Sequence, residues 1–501
     1  MRRMARGPIA QRTSRSVPIS SYTHAAGDAV RNIGDFASGL VTPTVRLGVT
    51  GLARSGKTVF ITALVHNLIA GGRLPFFDAA AEGRVLRAYL EPQPDEIVPR
   101  FEYEKHLADL TNAPPTWPES TRRISQLRLT VEYASTKFWK RQLGRERLHI
   151  DIVDYPGEWL LDLPLLQLDY AAWSRNAIDQ ARVPDRKAIA KDWHKALSSA
   201  DPDGPADEAF AAKLSDLFKA YLHAARSDQY ALSTLPPGRF LMPGDLEGSP
   251  ALTFAPLDAK ERTSFPRGSL WALMERRYEA YKSYVVRPFF RDHFARLDRQ
   301  IVLIDVLAAL NGGPAAVADL ERAMTEILEC YRTGSNSLWS SLFAPRIDRI
   351  VLAATKADHL HHESHDRLEA ILSLLTDKAM KRARYAGAAV KVLALAAVRA
   401  TREGQAKRNG ETLPCIVGYP LQGEKIGGRT FDGSQAFAIF PGDLPADPKK
   451  ALEGWNTEDG DMRFVRFRPP DPQALPSGGF APFPNIRLDR AIQALIGDHL
   501  E

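Results

Sequence analysis

Short apolar runs alternate with longer amphipathic ones along most of the chain, and their order predicts the architecture. Residues 44–49 read as a buried strand, and residues 59–69 carry apolar positions at helical spacing until Gly71 and Gly72 stop them. Two more strands are predicted at 123–133 and 147–154, close enough in sequence to form an antiparallel pair. Residues 73–119 are proline-bearing and irregular and predict no element. Residues 160–297 lack strand patterning and read as helices at 185–198, 206–225 and 269–299, broken by a Gly- and Pro-rich patch at 235–256. A strand at 300–305, a helix at 314–332 and strands at 349–354 and 389–396 follow, apolar enough for the interior of a parallel sheet. Residues 402–482 are rich in Gly, Pro and aromatics with short alternating stretches, and residues 486–500 close the chain as an amphipathic helix.

This order predicts an α/β fold, a mostly parallel sheet flanked by helices. The sheet domain is split into residues 44–159, 298–401 and 483–501 by a helical insertion at 160–297 and a smaller β-rich insertion at 402–482, and residues 1–43 precede it as a leader.

Three motifs fall at predicted strand ends. GLARSGKT at 51–58 lies between a strand and a helix, the setting of a phosphate loop. Gly51 and Gly56 let the loop curl, so that the backbone from Ala53, Arg54 and Ser55 to the helix start faces the phosphates. Lys57 would reach the β- and γ-phosphates and the Thr58 hydroxyl would bind Mg²⁺. DYPG at 154–157 ends the fourth run: Asp154 would hold Mg²⁺, the Gly157 N–H the γ-phosphate, and Glu158 follows directly. Ser120 and Thr121 both precede the strand at 123–133 as candidate metal-capping hydroxyls, and Thr121 joins Thr58 and Asp154 in the expected metal set. TKAD at 355–358 selects the base. Thr355 opens it, the Lys356 stem can lie over a ring, and Asp358 can accept from the N1–H and 2-amino group of guanine, whereas adenine would leave that carboxylate unpaired. Ala397 and Val398 then stand where a backbone amide could meet the base oxygen.

The ordered set of motifs resembles the GTP-binding domains of the translation-factor and Ras superclass. From about residue 44 onward, with GLARSGKT, DYPGEW and TKADHLHHESHDRL, the chain more closely resembles the YcjX family of bacterial P-loop GTPase-like stress proteins. That resemblance implies a helical domain reminiscent of the one in heterotrimeric Gα subunits, GTP and GDP binding with Mg²⁺, slow hydrolysis, and an association with envelope stress. Glu158 stands where many proteins of the superclass carry the Gln that orients the attacking water. Lys57 and Glu158 are therefore the expected catalytic residues of a slow regulatory GTPase that answers to a protein partner. The alternative is an adaptor that holds GDP with negligible turnover.

Composition narrows the picture. Across 501 residues, 44% apolar and 25% charged positions are ordinary for a soluble protein, and no uncharged run is long enough to span a membrane. Two cysteines, Cys330 and Cys415, exclude a disulfide framework and a four-thiolate zinc site, which favours the reducing cytoplasm. The net charge of +6 sits mainly in Arg2, Arg3, Arg6, Arg12 and Arg15; the near-neutral body excludes a nucleic-acid-coating surface. With Val30, Ile33, Phe36 and Leu40, residues 1–43 fit a solvated leader, a transit peptide, or a peripheral contact with the anionic inner membrane. His361 and His365 would share one face of a helix and could bind a metal, but Glu363 and Asp366 favour a capped, solvated helix start.

Overall fold

Continuous apolar strands demand cover on both faces, and the sheet at the centre of this molecule has it. The computed structural model describes residues 42–501 except 53, 122, 138–144, 227–235, 260–261, 263, 330–346, 386, 409–410, 427 and 454–463. The expected roles of the leader's apolar positions, of Ala53 and of Cys330 therefore lie outside the described residues.

Seven strands form the main sheet: β1 (Thr44–Gly51), β2 (Val85–Glu91), β3 (Ser125–Tyr133), β4 (Glu146–Asp154), β5 (Arg299–Ile304), β6 (Arg349–Ala354) and β7 (Ala389–Ala394). Their spatial order is β2-β3-β4-β1-β5-β6-β7. The pairs β1–β5, β5–β6 and β6–β7 are parallel, while β2–β3 and β3–β4 are antiparallel. The expected α/β architecture with a mostly parallel sheet holds.

Alternate residues of one strand enter opposite cores, as the period of a strand requires. Ile301 and Leu303 of β5 pack with Phe60, Leu64 and Leu68 of α1 (Lys57–Ile69) and with Ile492 and Leu495 of the closing helix Leu488–Ile496. Val302 and Ile304 face the other way, into a larger core shared with the helical segment, which includes Trp173, Phe218 and Tyr278. Residues 160–297 thus extend one core of the sheet. β8 (Arg402–Arg408), β9 (Glu411–Gly418) and the strand Phe437–Ile439 form a separate antiparallel sheet over a small cluster of Ile416, Phe431, Val465 and Phe467.

Two stretches differ most from the sequence expectation. Residues 73–119 contain the edge strand β2 and the helix Tyr103–Thr111. In β2 only Ala88 is fully buried, so this strand carries none of the apolar alternation that would announce it. The expected long helix ending near residue 299 instead passes from Leu270–Tyr281 through the π-helical turn Lys282–Val286 into Arg287–Asp292, and Arg299 already belongs to β5.

Two glycines set how closely these parts approach. A Cβ on Gly157 would lie 1.6 Å from the Gly51 carbonyl oxygen, and one on Gly238 would lie 1.7 Å from that of Glu158. Next to the second contact, the carboxylate of buried Asp162 accepts from the Gly238 N–H at 2.7 Å and the Tyr281 hydroxyl at 2.6 Å, and burial pushes its pKa up to about 6. Gly238→Ala should therefore lower stability by about 3 kcal/mol, the upper end for overpacking against atoms that cannot step aside. A urea-unfolding midpoint equal to wild type would mean that residues 158 and 238 do not pack in this way.

Candidate functional site

The parallel strands all end on one side of the sheet, and the loops that follow them converge on a cavity of about 320 Å³. β1 delivers the glycine loop of residues 51–58. Gly56, with φ 89°, caps α1 in a left-handed conformation natural to glycine, and the helix N-terminus opens toward the cavity. Arg54, Ser55, Gly56, Lys57 and Thr58 line the wall, while Gly51 sits behind it. Lys57 is 8% exposed and donates to the Gly51 carbonyl at 3.0 Å, so its ammonium lies folded along the loop.

The antiparallel register of β3 and β4 explains the polar cluster beside Thr58. Ser125 pairs with Asp154, so the chain just before β3 runs past the end of β4. There the Thr121 hydroxyl donates to Asp154 Oδ2 at 2.6 Å and stands 3.3 Å from the Thr58 hydroxyl. Ser120 also lines the cavity. Asp154 Oδ1 is buried without a hydrogen bond among the described residues. Burial raises the Asp154 pKa to about 6, against the opposing pull of the Lys57 ammonium. Three oxygen-bearing side chains with a buried, unpartnered carboxylate oxygen form a donor set that fits Mg²⁺.

Gly157 presses against Gly51 behind the loop, and Glu158 points away from the cavity wall. The Glu158 side chain is buried and ion-paired with Arg226, the residue that ends helix Glu208–Ala225. Arg226 has a second effect: with Arg466, and after burial itself, it holds the Arg54 guanidinium below its ordinary pKa. Of these arginines Arg54 and Arg466 line the cavity, where an anion would relieve their mutual repulsion.

At the opposite end, β6 delivers Thr355, Lys356 and Asp358, and β7 delivers Ala397 and Val398; all five line the cavity. Lys356 adopts φ 60°, and its ammonium is paired with Asp305 at the end of β5. Of the three described non-glycine residues with positive φ, Arg54 and Lys356 both line this cavity, where stored backbone strain is commonest. Asp358 is 4% exposed, and its carboxylate accepts from the Ala400 N–H at 2.8 Å. The amides of Ala396 and Arg399 are engaged by Ile486 and Pro484, which pins the loop carrying Ala397 and Val398.

Sequence reasoning missed the roof. Trp117, His359, Leu421, Arg466 and Phe467 also line the cavity. The Trp117 indole donates to the Phe467 carbonyl at 2.6 Å, and the Phe467 ring meets His359 edge-on. Asp305 and Arg226 were likewise not singled out. Asp305 could have been found from its place at a strand end; nothing local marks Arg226 or the aromatic contacts, whose partners lie far away in sequence. The alternative pairing of His361 with His365 at a metal is not formed, because the buried His365 ring engages the Ala357 carbonyl at 2.9 Å.

Comparison with known proteins places the chain in a family. The model of the YcjX-like family, DUF463, matches residues 45–500. A protein of Escherichia coli strain K12 named Ras-like GTPase YcjX is 38% identical over 467 residues, covering 91% of this chain and 96% of that protein. A protein of the same name from Shewanella oneidensis strain MR-1 is 35% identical over 478 residues, covering 91% of this chain and 95% of its own length. The phosphate loop at the end of β1, the Asp154 strand end and the Thr355–Asp358 turn lie within the matched region, and the chain belongs to the YcjX-like family.

Proposed function

We propose that this chain binds guanine nucleotides with Mg²⁺ in the cavity at the strand ends, hydrolyses GTP slowly to GDP and changes conformation between the two states. The observation that carries the reading is the convergence of Lys57, Thr58, Thr121, Lys356 and Asp358 on one cavity from separate strand ends. The name of both relatives, Ras-like GTPase, supports it.

In this reading the phosphates lie over the start of α1, where backbone N–H groups and the crowded Arg54 offset their charge. Lys57 leaves the Gly51 carbonyl to pair with the phosphate oxygens. Thr58, Thr121 and Asp154 would hold Mg²⁺, which would supply positive charge against the phosphate oxygens. Asp358 accepts from the guanine edge, and the Lys356 stem covers the ring while Asp305 keeps its ammonium aside. The roof over Trp117 and Phe467 shields the base from water.

The catalytic assignment rests on Lys57 and Glu158. Glu158 orients a water only after separating from Arg226, and this requirement makes turnover slow. The same ion pair favours a second reading, a GDP-holding adaptor in which Glu158 never leaves Arg226.

Two sets of variants test these roles. Lys57→Ala should weaken GTP binding by about a hundredfold, near the loss of a charge-assisted hydrogen bond network. Asp358→Asn should shift preference from guanosine to xanthosine nucleotides in calorimetry. Unchanged GTP affinity in the Lys57 variant would remove the phosphate loop from the account. For turnover, Glu158→Gln should change single-turnover hydrolysis by at least about tenfold while moving GDP affinity by less than about threefold. A wild-type chain that binds GTP without converting any of it to GDP would favour the adaptor.

A further inference from the structure

The turn that follows Asp358 carries a polar cluster that the nucleotide site does not use. One potential ligand atom from each of His361, His362 and Glu363 lies within 4.8 Å of the others. His361 Nδ1 is buried without a hydrogen bond among the described residues and stands 3.9 Å from Glu363 Oε2. That gap is too long for a hydrogen bond. It is close to the edge of about 3.4 Å expected between two ligands of a tetrahedral ion with bonds near 2.05 Å.

A fourth side chain holds one ring and stands near the other. Glu403, at the start of β8, places Oε2 at 2.8 Å from His362 Nδ1 and at 3.8 Å from His361 Nε2. Metal-binding histidines typically present their second ring nitrogen to a carboxylate, which fixes the tautomer and the ring direction. Here the Glu403 carboxylate takes the second nitrogen of His362, which leaves His362 Nε2 and the unpartnered His361 Nδ1 as the candidate ligating atoms. His365, the partner expected from helical spacing, is engaged by the Ala357 carbonyl instead.

We propose that His361, His362 and Glu363 bind a Zn²⁺-type divalent cation, with Glu403 as the carboxylate that orients the His362 imidazole, and that this ion fastens the base-recognition turn to the β-rich insertion. Two nitrogens and one carboxylate suit Zn²⁺ with a water completing the tetrahedron, and they do not suit Mg²⁺. The site bridges two segments that already hold Asp358. His361 lies three residues beyond it, and Glu403 lies two residues beyond Thr401, whose hydroxyl donates to the Asp358 carbonyl. Binding of the ion therefore stiffens the turn that presents the Asp358 carboxylate. This coupling, unlike the metal site itself, rests on the guanine reading, and by linkage a bound guanine nucleotide would tighten the ion to the same degree.

The test is Zn²⁺ titration of the full-length, Mg²⁺-loaded protein by calorimetry, followed by fluorescent-GDP release with and without Zn²⁺. Wild type should bind one equivalent in the micromolar range or tighter. His362→Ala and Glu363→Gln, which alter side chains that are 61% and 63% exposed and so spare the fold, should each weaken binding at least about tenfold. Glu403→Gln should weaken it by about tenfold with the stoichiometry kept, as loss of an orienting carboxylate does. Zn²⁺ should slow GDP release in wild type and not in His362→Ala. Absence of a one-equivalent site, or equal affinity in the His361→Ala/His362→Ala double variant, would overturn the site. Zn²⁺ binding here with unchanged GDP release would overturn the coupling and leave the site standing, and failure of GDP to bind at all would strike the guanine reading instead.

Discussion

The contact between Gly157 and the Gly51 carbonyl is the constraint on which the site depends. It locks the end of β4 against the start of the phosphate loop with no room for a side chain. Asp154 is thereby held beneath Thr58, and the antiparallel register of β3 and β4 brings Thr121 to the same point. A second glycine, Gly238, repeats the device one layer out, pressing the helical segment against the Glu158 carbonyl. Rearrangement at one contact must therefore be felt at the other, because close-packed backbone transmits displacement instead of absorbing it. The glycine loop and the helical segment meet at these two contacts, and the Glu158–Arg226 ion pair joins the same residues to helix Glu208–Ala225.

The base end is built differently. Its walls come from the turns after β6 and β7, and its roof comes from Trp117 and from the chain around Phe467. These contacts are side-chain to backbone or ring to ring, so they can part without breaking the sheet. The strain held at Lys356, in a left-handed conformation with its ammonium on Asp305, is confined by the same loops. A cluster of His361, His362, Glu363 and Glu403 on the outer side of these loops gives the chain a means of adjusting that end independently of the phosphates.

What the sequence made legible follows from where the physical constraint is local. The phosphate loop is written in consecutive residues because backbone curvature and a helix N-terminus impose the spacing. β5 and β6 are legible because strands covered on both faces must be apolar throughout. β2 is silent because an edge strand with one fully buried residue owes its existence to pairing with β3, which no local pattern records. Arg226 and Phe467 are silent for a related reason, since their partners Glu158 and Trp117 lie far away in the chain. Helical spacing does not describe the His361–His365 stretch, because a turn at His362–Ser364 precedes the helix, which begins only at His365, whose ring is already taken.

The central claim is that Asp358, set between Lys356 and the loop of Ala397 and Val398, reads a guanine edge. Competition of unlabelled GTP and ATP against a fluorescent GDP analogue on the full-length protein with Mg²⁺ tests it most directly. The account predicts that GTP displaces the analogue at a concentration at least about tenfold lower than ATP does, a difference of about 1.4 kcal/mol. Equal displacement by the two nucleotides, or a preference for ATP, would contradict it.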